Sequence, residues 1–325
     1  MARAARQRRE NELPYIPFGP FQIRFPFIHY KIESVEFIQG LILGVTALAA
    51  VPYLEQYLGL PYELAWSCVI IETMLYMLHS LLGDPVVPGW ITPTLPLTIV
   101  FLEGFPMGKE RIQAMIALQM LVALSFLIMG ATGIGRKLVD AVPMGIKAGI
   151  VLGAGVTAAV NVFSARMPKA PWTVAIAVLM SYFFLFNPSF ARKATKSRFW
   201  NVVRNQGVVP AQLFAIILAP VLLHEIPLPQ IQWGMTPLSF GFVMEHFTIF
   251  GLGFPAWSFF LAAIPSALAT YIIAFSDFVL AKEVVAEATS YRPDETVIFD
   301  ASRSNLVSFL RNAIMSLFAP WVPMC

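Results

Sequence analysis

The side chains most able to do chemistry in this 325-residue chain are a few ionisable groups inside long apolar runs. Glu72, Tyr76 and His79 follow one another at helical spacing, so on a helix all three share one face. A charged group at the centre of a membrane helix costs roughly 2.5–3.5 kcal/mol, so each needs a role. The spacing predicts either a polar path for protons or a set of interhelical hydrogen bonds that fixes packing, and both interpretations stand.

Asp277 is the second candidate for chemistry. It is the only acid between Glu245 and Glu283, and it follows a long apolar stretch. Because burial favours the protonated form of a carboxyl group, such an aspartate can take up a proton and release it as its surroundings change. This predicts an ion-coupling residue. The alternative is an acid near the cytoplasmic end of a helix, either paired with Lys282 or hydrated at the membrane interface.

Residues 83–96 hold four prolines and two glycines. Irregular backbone survives at membrane depth only where protein or water satisfies its polar groups. We therefore expect an extended segment leading into a half-helix, whose N-terminus carries roughly half a positive charge and suits an anionic or polar solute. An ordinary span kinked by proline is the alternative. The predicted solute-binding residues are Gly89, Trp90, Ile91, Thr92 and Asp277.

Composition decides the class of protein that must position these groups. Hydrophobic residues make up 58% of the chain and charged residues 13%, with a mean hydropathy of +0.70. A soluble domain carries roughly 25% charged residues, so lipid must be the solvent for much of this chain. Cys68 and Cys325 are the only cysteines, which excludes a disulfide framework or a cysteine metal site. Basic residues cluster only in loops, so nucleic-acid binding has no support.

A membrane span needs roughly 17–25 mostly apolar residues. On this criterion the sequence predicts an all-α, polytopic transmembrane bundle of eight spans and a partial ninth. The clear candidates are 35–54, 63–82, 114–132, 142–163, 171–187, 210–223 and 255–281, and the weaker ones are 88–102 and 305–320.

The distribution of lysine and arginine orients this bundle. With the N-terminus in the cytoplasm, the cytoplasmic segments hold 17 basic residues and the opposite ones hold 4. An excess of this sign is typical of cytoplasmic loops. It also favours counting 88–102 as a membrane span, because omitting it would move the basic loop 192–204 to the other side of the membrane. We expect an integral protein of a bacterial inner (plasma) membrane with a cytoplasmic N-terminus.

The segment 60–97 resembles the second and third spans of the nucleobase–cation symporters and the SulP anion permeases, which share a fold of seven plus seven inverted-repeat spans. The matching residues are Leu60, Pro61, Tyr76, Gly83, Pro88, Gly89 and Pro93. Residues 142–150 resemble the symporters' proline-led fifth span, and 264–282 resemble their eighth. There a family acid contacts the solute or tunes coupling, and Asp277 stands in its place, as Asp rather than the commoner Glu.

The resemblance implies four sections of chain. They are a cytoplasmic and interfacial segment (1–34), a first repeat of about seven spans (35–223), an interfacial connection (224–254) and the start of a second repeat (255–325). Residues 303–312 resemble the polar lead into the ninth span. The sequence stops at Cys325, where the family enters its second broken helix, so we expect a fragment of a longer protein or a truncated gene product.

The function implied is secondary transport by alternating access, in a homodimer. The solute would be a nucleobase, sulfate or an organic anion, moved with a proton or sodium ion, and the ion-coupling candidates are Asp277, Glu72 and His79. We expect no cofactor, no metal and no enzymatic activity, because His224 and Glu225 lack the second histidine of a zinc-protease helix. The alternatives are an uncoupled anion channel or uniporter, an intramembrane enzyme using Glu72 and His79, and a non-transporting remnant.

Overall fold

The computed structural model describes residues 10–32, 34–86, 89–228, 234–291 and 294–325. Within these ranges the chain is mostly helical, with one short β-hairpin and irregular connections, so the predicted all-α class is confirmed. Four of the described helices are long and apolar enough to cross a membrane, and a bent pair, Pro171–Phe186 with Pro188–Lys196, could form a fifth span. The four are Gly40–Leu58, Tyr62–Leu81, Lys109–Thr132 and Trp257–Tyr291.

The four long helices coincide with predicted spans 35–54, 63–82, 114–132 and 255–281, and the bent pair with 171–187. The other predicted spans also contain helix, but 88–102 holds a helix of only nine residues, Leu95–Glu103. The count of eight spans and a partial ninth is therefore confirmed for four or five and otherwise stays a prediction.

The chain divides into two compact units, and the site considered below lies in unit 1, which comprises Met1–Ile32, Leu43–Ile150 and Thr236–Cys325. Unit 2 comprises Glu33–Ile42 and Val151–Met235. The four predicted sections describe repeats rather than compact units, so they stay a prediction. Two helices, Ser34–Ala47 and Met144–Asn161, run across the boundaries between the units. The other elements of unit 1 are strands Ile16–Phe18 and Phe21–Ile23, helices Ala50–Leu58, Tyr62–Leu75, Met77–Leu81, Leu95–Glu103, Lys109–Thr132, Ile134–Ala141, Phe240–His246, Ile249–Leu252, Trp257–Tyr291 and Ala301–Phe318, and the 3-10 turn Thr92–Thr94.

Helix Lys109–Thr132 is the centre of unit 1. It packs along Trp257–Tyr291 and along Ala301–Phe318, which we call the C-terminal helix. A Cβ atom at Gly130 would lie 2.8 Å from the Leu306 side chain, so only glycine allows the C-terminal helix this close. Phe126 fills the space on the other side, against Tyr271.

The N-terminal hairpin is hydrogen-bonded to the C-terminal end of the second predicted span. Its strands pair antiparallel with Ile16 opposite Ile23, and the N–H groups of Gln22 and Arg24 donate to the Leu82 and Leu81 carbonyls at 3.1 and 2.9 Å. Gly83 follows with φ +78°, and a Cβ there would meet the Gln22 carbonyl oxygen at 2.5 Å. The helix therefore ends where the proline-rich segment begins.

Unit 2 is built on helix Pro171–Phe186. Two backbone N–H groups in its first turn donate to the Glu225 carboxylate at 2.9 and 2.8 Å. The side-chain oxygen of Asn187 accepts from two N–H groups of the following helix, Pro188–Lys196, and the two helices meet at 63°. The remaining elements of unit 2 are helices Arg198–Asn205, Val209–Leu213 and Ala219–Leu222 and the π-helical turns Val162–Arg166 and Phe214–Leu218.

Candidate functional site

The proline-rich segment is broken, as predicted. Residues 84–86 and Gly89 are outside any helix, a 3-10 turn follows at Thr92–Thr94, and the next helix is Leu95–Glu103. At 1.5 Å per residue this helix is about 14 Å long, less than half of a hydrocarbon core of roughly 30 Å. A break followed by a short helix is therefore present, as expected, while the choice between a half-helix and a kinked span at membrane depth stays a prediction.

The extended part of this segment pairs with the end of the chain. The Gly89 N–H donates to the Cys325 carbonyl at 3.2 Å, and the Cys325 N–H donates back to the Gly89 carbonyl at 3.3 Å. The Ile91 N–H donates to the Pro323 carbonyl at 3.1 Å, so Trp90 stands opposite Met324 in an antiparallel bridge. We call residues 89–91 and 323–325 the crossing. The sequence analysis did not predict it, because the two partners lie more than two hundred residues apart.

A cavity of about 250 Å³ lies beside the crossing and contains three of the predicted solute-binding residues, Gly89, Trp90 and Asp277. It belongs entirely to unit 1. Two aromatic rings, Trp90 and Phe278, supply apolar surface, while the Asp277 carboxyl and the Ser304 hydroxyl supply polar groups. The full lining is Val86, Gly89, Trp90, Pro93, Asp277, Phe278, Ala281, Ser304 and Cys325.

Asp277 is half-buried in this cavity. Its carboxylate accepts from the Cys325 thiol, with Oδ2 and Sγ 3.4 Å apart. Lys282, its suggested partner, instead donates to Asp140 at 2.6 Å, so the pairing of Asp277 with Lys282 is wrong. Within the described ranges no cation pairs with Asp277, and the described lining includes no lysine, arginine or histidine. The carboxyl group is therefore the dominant ionisable group of the cavity.

Two predicted solute-binding residues are placed differently. The Ile91 side chain is fully buried in the core with Leu118 and Phe126 and does not line the cavity, so solute binding at Ile91 stays a prediction. The physical reason for this burial is that successive side chains of an extended segment point to opposite sides, and Trp90 takes the cavity side. Thr92 begins the 3-10 turn, and its side chain lies outside the described part of the structure.

Glu72 and His79 are buried beside the crossing and do not line the cavity. The Trp90 indole N–H donates to the Glu72 carboxylate. His79 Nδ1 lies 2.8 Å from Asp84 Oδ2, and its Nε2 lies 3.0 Å from Arg311 Nη1. Only the contact between His79 and Arg311 joins two helices, whereas Trp90 and Asp84 belong to non-helical segments. Ion coupling through Glu72 and His79 stays a prediction.

The sequence analysis missed the role of the C-terminal helix. Arg311, one of the 17 basic residues counted on the cytoplasmic side, is fully buried within the protein rather than exposed in a loop, and its membrane side stays a prediction. Asn312 bonds to residues 323–325 of the crossing: its side chain donates to the Met324 carbonyl at 2.6 Å and accepts from the Met324 N–H at 3.0 Å. Ser304 donates to Asp84 at 2.8 Å. The sequence feature that indicates this role is the helical spacing of the polar residues at 304, 308, 311 and 312, which predicts one polar face on the C-terminal helix.

Comparisons with known proteins add no constraint to this geometry. Neither a protein-family model nor a curated protein matches the chain. Among the described residues no group of three or more His, Cys, Asp or Glu side chains is arranged to hold a metal ion. The function must therefore be argued from the cavity and its surroundings.

Proposed function

We propose that this chain is a secondary active transporter that moves a small polar solute across the membrane together with a proton or a sodium ion. The observation that carries the proposal is the cavity in which a broken membrane segment, through Gly89 and Trp90, meets the half-buried carboxyl of Asp277. Discontinuous spans beside an intramembrane acid are typical of transporter sites. A carboxyl without a cationic partner can exchange a proton or bind sodium.

The lining favours one solute class among those the sequence analysis left open. A carboxylate repels sulfate and organic anions, and the described lining offers no basic side chain to offset it. The same carboxylate accepts hydrogen bonds from N–H groups, while Trp90 and Phe278 offer surfaces for a flat ring. A neutral, planar heterocycle with N–H donors, such as a nucleobase, fits these groups best.

The wider architecture belongs to the same proposal. A seven-plus-seven inverted repeat, a homodimer and a bacterial inner membrane with the N-terminus in the cytoplasm all rest on the resemblance and on the charge asymmetry of the loops. The four long apolar helices and the short helix Leu95–Glu103 are what such a fold requires in its first repeat and in the eighth span.

Uptake into proteoliposomes tests the proposal. Purified protein would be assayed with radiolabelled uracil, xanthine, sulfate and a dicarboxylate, under an imposed pH or sodium gradient. We expect gradient-driven accumulation of a heterocycle, and its loss in Asp277→Asn. The matched control is Glu283→Gln on the same helix. The Glu283 carboxylate forms an ion pair with Lys147 at 3.0 Å, and neither residue lines the cavity.

The other candidate functions predict different results in the same vesicles. An uncoupled anion channel or uniporter would give solute currents that follow voltage and ignore the gradients. A non-transporting remnant would give no flux with any solute. Unchanged accumulation in Asp277→Asn would remove the coupling role from that residue.

A further inference from the structure

The two strands of the crossing are held by neighbouring residues of one helix. On the C-terminal helix, Arg311 Nη2 donates to the Gly89 carbonyl at 3.4 Å, while the Asn312 side chain forms both hydrogen bonds to Met324 described above. Asn312 is thereby tied to the second strand and Arg311 to the first. Both side chains are fully buried, so water does not compete for these contacts.

Arg311 is itself held in place by a chain of buried polar groups. A guanidinium can only donate, so His79 Nε2 must accept from Arg311 Nη1, and the imidazole proton must be on Nδ1. Nδ1–H then donates to Asp84 Oδ2, which also accepts from Ser304. The contacts therefore specify a neutral His79 in one tautomer, between a cation and a carboxylate.

The other groups around Arg311 complete its surroundings. Its guanidinium carbon lies 5.3 Å from the centre of the Tyr76 ring, and Glu72 on the same helix face holds Trp90. Arg311 therefore contacts the second predicted span and the broken segment, although it does not line the cavity.

We propose that Arg311 and Asn312 are the positioning residues of the solute cavity, and that neutral His79 with Asp84 sets the geometry of Arg311. This inference rests on the proposed transport function, because a positioned crossing matters most if solute binds against it. Arg311 acts through the Gly89 carbonyl, and Asn312 acts through Met324, next to the cavity-lining Cys325. We call the hydrogen bonds from Arg311 to Gly89 and between Asn312 and Met324 the two clamps. Loss of either clamp lets one strand of the crossing shift and opens the side of the cavity that carries Asp277 and Cys325.

Cysteine labelling tests the positioning without requiring transport. In a Cys68→Ala background Cys325 is the only thiol, and its rate of modification by a small methanethiosulfonate reports how well the crossing is held. The variants are Arg311→Lys, which keeps the charge but not the two-pronged donor geometry, and Asn312→Asp, which keeps the acceptor but not the donor. Ser316→Ala on the same helix is the control, because the Ser316 hydroxyl bonds only to the nearby Ala313 carbonyl.

We expect labelling to rise about tenfold in Arg311→Lys and in Asn312→Asp, the effect of losing one hydrogen bond that involves a charged or buried partner. Ser316→Ala should label at the parent rate. His79→Leu should behave like Arg311→Lys, whereas His79→Gln should stay near the parent rate, since its amide oxygen can accept from Arg311. Size-exclusion profiles confirm that each variant compared is folded.

Equal labelling of Arg311→Lys, Asn312→Asp and the parent overturns the proposal, as does equal labelling of His79→Leu and His79→Gln. With a transported solute, Arg311→Lys should raise KM about tenfold, with kcat less affected. A labelling increase without any change in KM also overturns the proposal. If the parent protein moves no solute, the transport function fails while the labelling pattern still decides whether the clamp exists.

Discussion

Two clusters of charged side chains in unit 1 use the same residue types in opposite surroundings. Around the crossing, Arg311 and Asp84 are bridged by His79, and all three are fully or almost fully buried. In the other cluster, Arg136 and Lys282 both reach Asp140, whose side chain is 51% exposed. Removing one partner of a buried network leaves an uncompensated charge, whereas an exposed ion pair contributes little.

The difference in burial between the two clusters indicates which charged side chains the fold depends on. The buried cluster connects residues from three separate parts of the chain and holds the backbone of the crossing. The exposed cluster links helices Ile134–Ala141 and Trp257–Tyr291, which already pack through apolar side chains such as Val139. Substitutions in the two clusters should therefore differ in size.

The largest effect is expected for Arg311→Met. It should lower the free energy of unfolding by about 3–5 kcal/mol, because it removes the cation that balances buried Asp84 and the donor to His79. Arg136→Met, the matched exposed substitution, should cost about 1 kcal/mol at most. Denaturant unfolding in detergent measures both. Equal losses in the two variants would abolish the distinction between the clusters.

Asn312→Ala should have the next largest effect. It removes two hydrogen bonds to Met324 and leaves a buried carbonyl and N–H without those partners, which should cost about 2–3 kcal/mol. Ser316→Ala should cost under about 0.5 kcal/mol in the same unfolding assay, because only a local contact is lost. A small loss in Asn312→Ala would show that the crossing holds without its clamp.

Lys282→Met measures how much the exposed cluster contributes to stability. The Lys282 ammonium lies 2.6 Å from Asp140 Oδ1, but both side chains are partly exposed. The change should lower stability by about 1 kcal/mol or less, and the loss should shrink as salt rises from about 0.05 to 1 M because exposed pairs are screened. A loss that did not depend on salt would mean that this pair is shielded from water.

The smallest effect is a pH dependence at Asp140. The hydrogen bond from Lys282, together with the charges of Lys282 and Arg136, lowers the pKa of the Asp140 carboxyl. Its contribution to stability is therefore present at pH values above the ordinary aspartate pKa of about 3.9, and it is lost as pH falls through the lower folded-state pKa. The difference in Tm between parent and Asp140→Asn should accordingly shrink on acidification. A difference that grew towards low pH would contradict this direction.

Local chemistry explains which parts could be predicted from the sequence. The prolines and glycines of residues 83–96 dictate a break wherever they occur, so the break was predictable, as was the shared face of Glu72, Tyr76 and His79. Long apolar runs likewise predict the four long helices. Each of these features depends on neighbours within a few residues.

The rest depends on pairing across the chain. Nothing in residues 323–325 indicates that they bond to residues 89–91, because an extended backbone can pair with any other. The burial of Arg311 was not predicted, because a basic residue near an apolar run is ordinarily a loop residue. The burial of the Ile91 side chain was not predicted either, because the partner strand sets which side chains of the extended segment face the cavity, and the local sequence does not specify that strand.

In the proposed transport function, Asp277 couples solute to ion in the cavity beside the crossing. The most direct test compares gradient-driven uptake with solute counterflow, in which unlabelled solute inside the vesicles exchanges for labelled solute outside and no ion gradient is needed. We predict that Asp277→Asn loses gradient-driven uptake but keeps counterflow, while Glu283→Gln keeps both. Full gradient-driven uptake in Asp277→Asn would contradict the account.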